Sequence, residues 1–236
     1  MGNPPSPNTA STPRVLGVDA CKKGWVGITN DLAGYFGQDI ELLISAVLAD
    51  GPLDVAAIDI PIGLPLSGSR QADVLARKLV GKRASSVFPT PVRAALVAAS
   101  HSEASAINLG STGKGLSQQA YGLGRKILEV DEWVRRAPCR VIEVHPEVSF
   151  AAMKGAPLDY AKSSWAGMEE RRRLLSRAGI GEPCDIGIAG QKAAPDDVLD
   201  ATAAVWTALR FTSGSAVSYP SPPEEFGNED AAAIWA

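Results

Sequence analysis

Apolar and polar positions change their rhythm along the chain. From residue 15 the run VLGVDA is short, apolar and β-branched, with an acid, Asp19, next to its end. CKKG follows as a tight turn in which Gly24 is free to take positive φ, and WVGITN reads as the returning strand. NDLAG makes a second turn, and a third strand is expected within residues 35–44. Strands joined by such short turns form an antiparallel meander. Helical spacing then appears at 44–48, and VAAIDI at 55–60 is almost wholly apolar, as in a strand covered on both faces. Helical spacing returns at 70–79, GKRASSVFPTP is loop-like, and further helices are expected at 92–99 and 117–134. A strand at 140–144, a basic helix at 168–177 stopped by Gly179, and a strong helix from near Pro195 through 203–209 follow. From Ser213 to Gly227 the chain is Pro-rich, and the closing AAAIWA is expected to return as an edge strand.

A strand meander followed by helices alternating with apolar strands predicts an α/β protein with a mixed sheet. No linker divides it, so residues 14–236 read as one domain. Residues 66–137 read as a helical insertion between two strands of the sheet. The polar, Pro-rich start MGNPPSPNTASTP reads as a disordered arm over 1–13.

Composition narrows the class. In 236 residues, 23 Lys and Arg face 26 Asp and Glu, for a net charge of −3, and 45% of positions are hydrophobic. That excludes a disordered polyelectrolyte, and it excludes a protein that packages nucleic acid in bulk through a strongly basic surface. Cys21, Cys139 and Cys184 form no CxxC pair, and the two histidines, His101 and His145, are isolated, so a structural zinc site is not expected. Free thiols suit a reducing, cytoplasmic location. No apolar run approaches the roughly 18 residues of a membrane span, so no membrane partner is expected.

Four carboxylates stand out by position. Asp19 ends the first strand, Asp59 lies near the end of the buried strand at 55–60, and Asp197 and Asp200 share a face of the helix that begins near Pro195. Ligand sites in such sheets lie outside the carboxyl ends of the strands. Converging carboxylates without histidines suit a hard cation such as Mg²⁺ or Mn²⁺, which offsets their repulsion. Glu143, in RVIEVHPE, is a fifth candidate, as a further ligand or to orient a water. The plainer readings are a turn acceptor for Asp19 and a helix-start acid for Asp196. His145 reads as a hydrogen-bonded structural histidine.

Basic residues cluster at Arg70, Arg77, Lys78, Lys82, Arg83 and Arg93, and again at Arg171–Arg173 after Lys162. They read either as solvated faces or as phosphate contacts. Lys22, Arg83, Lys162 and Arg172 are taken as the candidate substrate-binding cations. Trp25, Phe88 and Trp165 are candidates for stacking on bases, or core residues.

GVDACKKGWVG, AIDIPIGLP, the R-x-x-D-x-x-A-R run from Arg70 to Arg77, SSVFPTPVRAAL, GLSQQAYG, EVHPEVSF and DDVLDATAAVWTA occur in that order. Together they resemble the domain-of-unknown-function family 429, whose members are described as predicted nucleases. The resemblance runs from about Val15 to Arg210. It implies a ribonuclease H-like fold, three antiparallel strands and then parallel ones, with the last acids on a closing helix. The closing D-x-x-D-A pattern is similar to that of Holliday-junction resolvases. The long insertion after Asp59, and the added acids Glu143 and Glu147, depart from a plain ribonuclease H. The first hairpin is also similar to that of actin-like ATPases and sugar kinases, which are longer, duplicated proteins.

The expectation is therefore a Mg²⁺- or Mn²⁺-dependent nuclease in which Asp19, Asp59, Asp197 and Asp200 hold metal and Glu143 positions water. The alternatives are a nucleotide-binding phosphotransferase or ATPase of the same superfamily, and a non-catalytic binding or scaffold protein. Nucleic acid is the expected partner, and an exposed edge strand would allow a homodimer.

Overall fold

A computed structural model describes residues 12–226 and 231–236. The arm expected at 1–13 falls outside the described residues up to residue 11, as does Gly227 at the end of the Pro-rich stretch.

The chain first builds β1 (Val15–Cys21), β2 (Gly24–Thr29), β3 (Gly34–Gly37), α1 (Ile40–Ala49) and β4 (Val55–Ile58). Four helices follow: α2 (Gln71–Leu79), the single turn α3 (Arg93–Leu96), α4 (His101–Thr112) and α5 (Gln118–Trp133). Then come β5 (Arg140–Val144), α6 (Pro146–Lys154), α7 (Trp165–Arg177), the short α8 (Ile188–Lys192), α9 (Pro195–Thr212), β6 (Ser218–Glu224) and β7 (Ala232–Trp235). The strands form one seven-stranded sheet in the order β3-β2-β1-β4-β5-β7-β6. β1, β2 and β3 pair antiparallel, whereas β1–β4, β4–β5 and β5–β7 pair parallel. This mixed α/β sheet has the ribonuclease H-like arrangement, extended by β7 and β6.

Strand pleating divides the core into two layers. Leu16, Val18, Ala56 and Ile58 point to the face covered by α1 and α5, where they meet Leu43, Val47, Ile127 and Val130. Val15, Val55, Ala57, Ile142 and Val144 point to the other face, against Ala201, Ala204, Val205 and Ala208 of α9. The small residues of α9 let it lie close to the sheet. Gly17 completes that approach, since a Cβ there would sit 2.0 Å from the Ala201 carbonyl oxygen.

Three boundaries differ from the sequence expectation, each for a local reason. Asp39 caps α1 by accepting from the Leu42 amide at 2.7 Å, so the helix starts before residue 44 and β3 is short. The helix expected at 92–99 is one turn, and Ser100 caps a separate helix, α4, by accepting from the Glu103 amide. α4 buries only Ala104 and Asn108, so it lacks the wide apolar stripe that betrays a helix.

The closing strand corrects a further expectation. β7 is interior, between β5 and β6, rather than an edge. The edge is β6, from SYPSPPE in the Pro-rich stretch. Proline donates no ladder hydrogen bond, which confines it to such edges and blunts them against further pairing. Among the described residues no helix is long and apolar enough to cross a membrane.

Candidate functional site

Chain parity carries Asp19 and Asp59 to the same face. Asp19 follows Val15 and Gly17 along β1, and Asp59 follows Val55 and Ala57 along β4, all on the α9 side. The parallel register pairs Val18 with Ile58, and the Asp59 amide donates to the Val18 carbonyl at 2.9 Å, so the two acids leave neighbouring strand ends side by side. The chain turns outward to β2 from one and onward to β5 from the other. They therefore flank the switch point where open α/β sheets bind ligands.

α9 supplies the remaining acids. Asp200 is 3% exposed and Asp19 6% exposed. Asp197 also reaches the cavity, but one of its oxygens accepts from the Ala194 amide at 3.0 Å and closes the helix start. Lys162, from the loop before α7, donates to Asp200 Oδ2 at 2.7 Å and lies 3.5 Å from Asp196. All these groups except Asp196 line one cavity of about 500 Å³.

The electrostatics reflect this crowding. Burial, and then the charges of Asp59 and Asp200, hold the Asp19 carboxyl well above the ordinary aspartate range. Burial also raises Asp59, with His145 and Lys162 opposing and Glu147 adding to the rise. Asp200 is pushed up to about 6 by burial, against the pull of Lys162. Burial works against the Lys162 ammonium, but Asp200 outweighs it and keeps that charge firmly in place. Asp59 and Asp200 raise Asp19, and Asp59 raises Asp200, so with Lys162 as the cation bonded among them the site is short of positive charge.

The donor chemistry fits Mg²⁺ or Mn²⁺, being all carboxylate oxygen. Among the described residues, however, no group of three or more His, Cys, Asp or Glu side chains stands close enough to make a ready-made cage. The fit is thus in the kind of donor and its unmet charge.

Glu143 departs from its expected role. Ile142 and Val144 face α9, so the pleat turns Glu143 to the opposite face, where it pairs with buried Arg70. Arg70 Nη2 donates to Oε1 at 2.5 Å and Nη1 to Oε2 at 2.9 Å, and the Ile62 amide also donates to Oε2 at 2.7 Å. Asp73 holds the other side of Arg70, at 3.0 Å from Nη2, and accepts from the Thr90 amide at 2.7 Å. Glu143 therefore anchors α2 and the chain after β4 to the sheet. It borders the cavity with both oxygens already engaged.

The expected cations divide in the same way. Lys162 and Arg83 line the cavity, and Arg83 Nη2 donates to the Asp159 carbonyl at 3.0 Å. Lys22 is exposed in the β1–β2 turn and does not line the cavity. Arg172 points elsewhere, 3.7 Å from Glu182. Arg70, Arg77 and Arg93 are tied into the fold through Glu143, the Ala84 carbonyl and Asp131. Trp25 is core, fully buried beneath Lys126.

Three further groups stand near the acids, two of them named in the sequence without a role at the site and one not singled out there. His145, taken as structural, lines the cavity close enough for its charge to be felt at Asp59. Glu147 does the same while pairing with buried Arg171. Lys126 donates to the Gly24 carbonyl and feels Asp19 and Asp197. The motif EVHPE signalled the first two. Nothing local signalled Lys126, which reaches β2 from a helix 102 residues away.

Fold and site together define a ribonuclease H-like α/β protein with buried acids at the carboxyl ends of its parallel strands. The family described as protein of unknown function (DUF429) matches residues 17–225, and the chain belongs to that family. No curated protein and no solved structure matches the chain.

Proposed function

We propose that the protein is a Mg²⁺- or Mn²⁺-dependent nuclease that hydrolyses phosphodiester bonds in nucleic acid. The observation that supports this most is the gathering of Asp19, Asp59 and Asp200 in one cavity, where the charges of Asp59 and Asp200 raise the proton affinity of Asp19 and that of Asp59 raises Asp200. A fold that gathers three such acids without enough positive charge loses stability, which is expected of a site built for a cation. Asp19, Asp59 and Asp200 would hold the metal. Asp197, half engaged by the start of α9, completes the acidic wall. A divalent cation bound there supplies Lewis acidity and lowers the pKa of a bound water.

The chain's own cations take the substrate. Lys162 holds Asp200 in the free protein and presents its charge to the cavity, where a phosphate would meet it. Arg83 stands on the wall contributed by the insertion and suits a neighbouring phosphate. His145 stands by Asp59 as the nearest imidazole, suited to accept or return a proton. A cytoplasmic location belongs to the same reading, in keeping with free Cys21, Cys139 and Cys184.

The test is cleavage of labelled single strands, duplexes, junctions and RNA–DNA hybrids with Mn²⁺. Wild type is expected to cut at least one of them, and Asp59→Asn to cut none while remaining folded by circular dichroism. A fully active Asp59→Asn overturns the assignment.

A further inference from the structure

The loop between α6 and α7 has two sides. Ala161, Lys162 and Ser163 line the acidic cavity. Tyr160, just before them, and Trp165, two residues after, border a separate groove of about 460 Å³. Trp165 is 75% exposed and Tyr160 52% exposed, the largest aromatic surfaces that the described residues offer to solvent. A large indole left in water at a helix start has no packing role to explain it. Ser164 already caps α7 by accepting from the Gly167 amide at 3.0 Å, so the cap does not need Trp165 either.

The groove also carries two arginines on its helical side. Lys154 is spent on Asp159 at 2.5 Å and Glu170 at 2.6 Å. Arg173 and Arg177 line the groove, and among the described residues neither is paired with an acid. They stand one turn apart on α7, about 6 Å along its surface, which is comparable with the spacing of successive phosphates in a stretched strand. Glu169 and Glu170 are the acids of the lining, against Lys154, Arg173 and Arg177, which leaves the lining positive by one charge. From Lys162 to Trp165 the chain spans at most about 11 Å, so groove and cavity are neighbours.

We propose that this groove is the binding track for a single strand of nucleic acid, DNA or RNA, that leads into the acidic cavity. Trp165 and Tyr160 stack its bases, while Arg173 and Arg177 hold its phosphates. Stacking is tolerant of sequence because every base has a π face. The unpaired arginines and the short chain distance to the cavity select this occupant over a protein partner. The inference rests on the nuclease reading and names the form of substrate it takes.

The experiment measures fluorescence anisotropy of labelled dT12 and U12 oligonucleotides on the full chain carrying Asp59→Asn, so that binding is read without cleavage. Trp165→Ala is expected to weaken binding of at least one strand about tenfold, with Trp165→Phe restoring most of it. Arg173→Gln with Arg177→Gln is expected to flatten the salt dependence. Trp165 is exposed, so the fold does not depend on it. Trp165→Ala binding both strands within twofold of its parent overturns the groove, as does a parent that binds neither. Hydrolysis of bis(p-nitrophenyl) phosphate by the protein with native Asp59 and Mn²⁺ separates the two readings. Hydrolysis with Trp165-independent binding removes the groove alone. Trp165-dependent binding without hydrolysis removes the nuclease reading alone. Absence of both removes both.

Discussion

Asp59 raises the free energy of the folded protein. Burial holds its carboxyl above the ordinary aspartate range, so the charged form is less welcome in the fold than in the unfolded chain. Below the unfolded pKa of about 3.9 the group is protonated in both states and costs nothing. As pH rises through the folded value, the penalty grows to its full size. Without added divalent cation, Asp59→Asn is therefore expected to raise the melting temperature near pH 7.5, and the gain is expected to shrink toward pH 4. Calorimetric melts of both proteins across that range check it, and a variant less stable at pH 7.5 would contradict it. Glu143 is also raised by burial, to about 7, but it differs from Asp59 in holding the buried Arg70 guanidinium with both oxygens. Replacing it by Gln removes one charge partner from buried Arg70, at a cost of about 3 kcal/mol, and leaves Mn²⁺ affinity intact. Denaturant melts and a metal titration on Glu143→Gln read both outcomes. Asp19, Asp59 and Asp200 were legible in the sequence because strand ends and a helix start announce their own carboxylates. The role of Glu143 was hidden. A strand apolar on both faces shows no alternation, so its parity is invisible, and its partner Arg70 lies 73 residues away.

At the level of elements, the site depends on how closely α9 lies on β1. Gly17 and the alanines facing it set that distance. Gly17→Ala would drive a Cβ into the Ala201 carbonyl and the Val205 amide, both of them backbone. The expected loss is about 2–3 kcal/mol, together with weakened metal binding as Asp200 moves off Asp19. Chemical denaturation and a Mn²⁺ titration of Gly17→Ala measure the two effects, and a variant unchanged in both would refute the account of this contact. α5 and α9 were visible in the sequence from length and spacing. α4 was not, because it buries two residues only, and β6 was not, because its prolines argue against a strand anywhere but at an edge.

Across the whole molecule, the order β3-β2-β1-β4-β5 places β1 and β4 side by side with Asp19 and Asp59 at their carboxyl ends. Short turns and an apolar parallel run made that half of the sheet readable. The position of β7 between β5 and β6 was not, since four residues, AAIW, fit an edge as well as an interior strand. The insertion after β4 gives the cavity a wall through Arg83, Val87 and Phe88, and the loop before α7 gives it another through Lys162. Both walls serve the acids between them, and the central claim is that those acids bind a divalent cation. Isothermal titration of the full chain with Mn²⁺ at low ionic strength, beside Asp59→Asn, tests it most directly. The account predicts binding by wild type and at least a tenfold loss in the folded variant. Equal binding by the two proteins, or none by wild type, would contradict it.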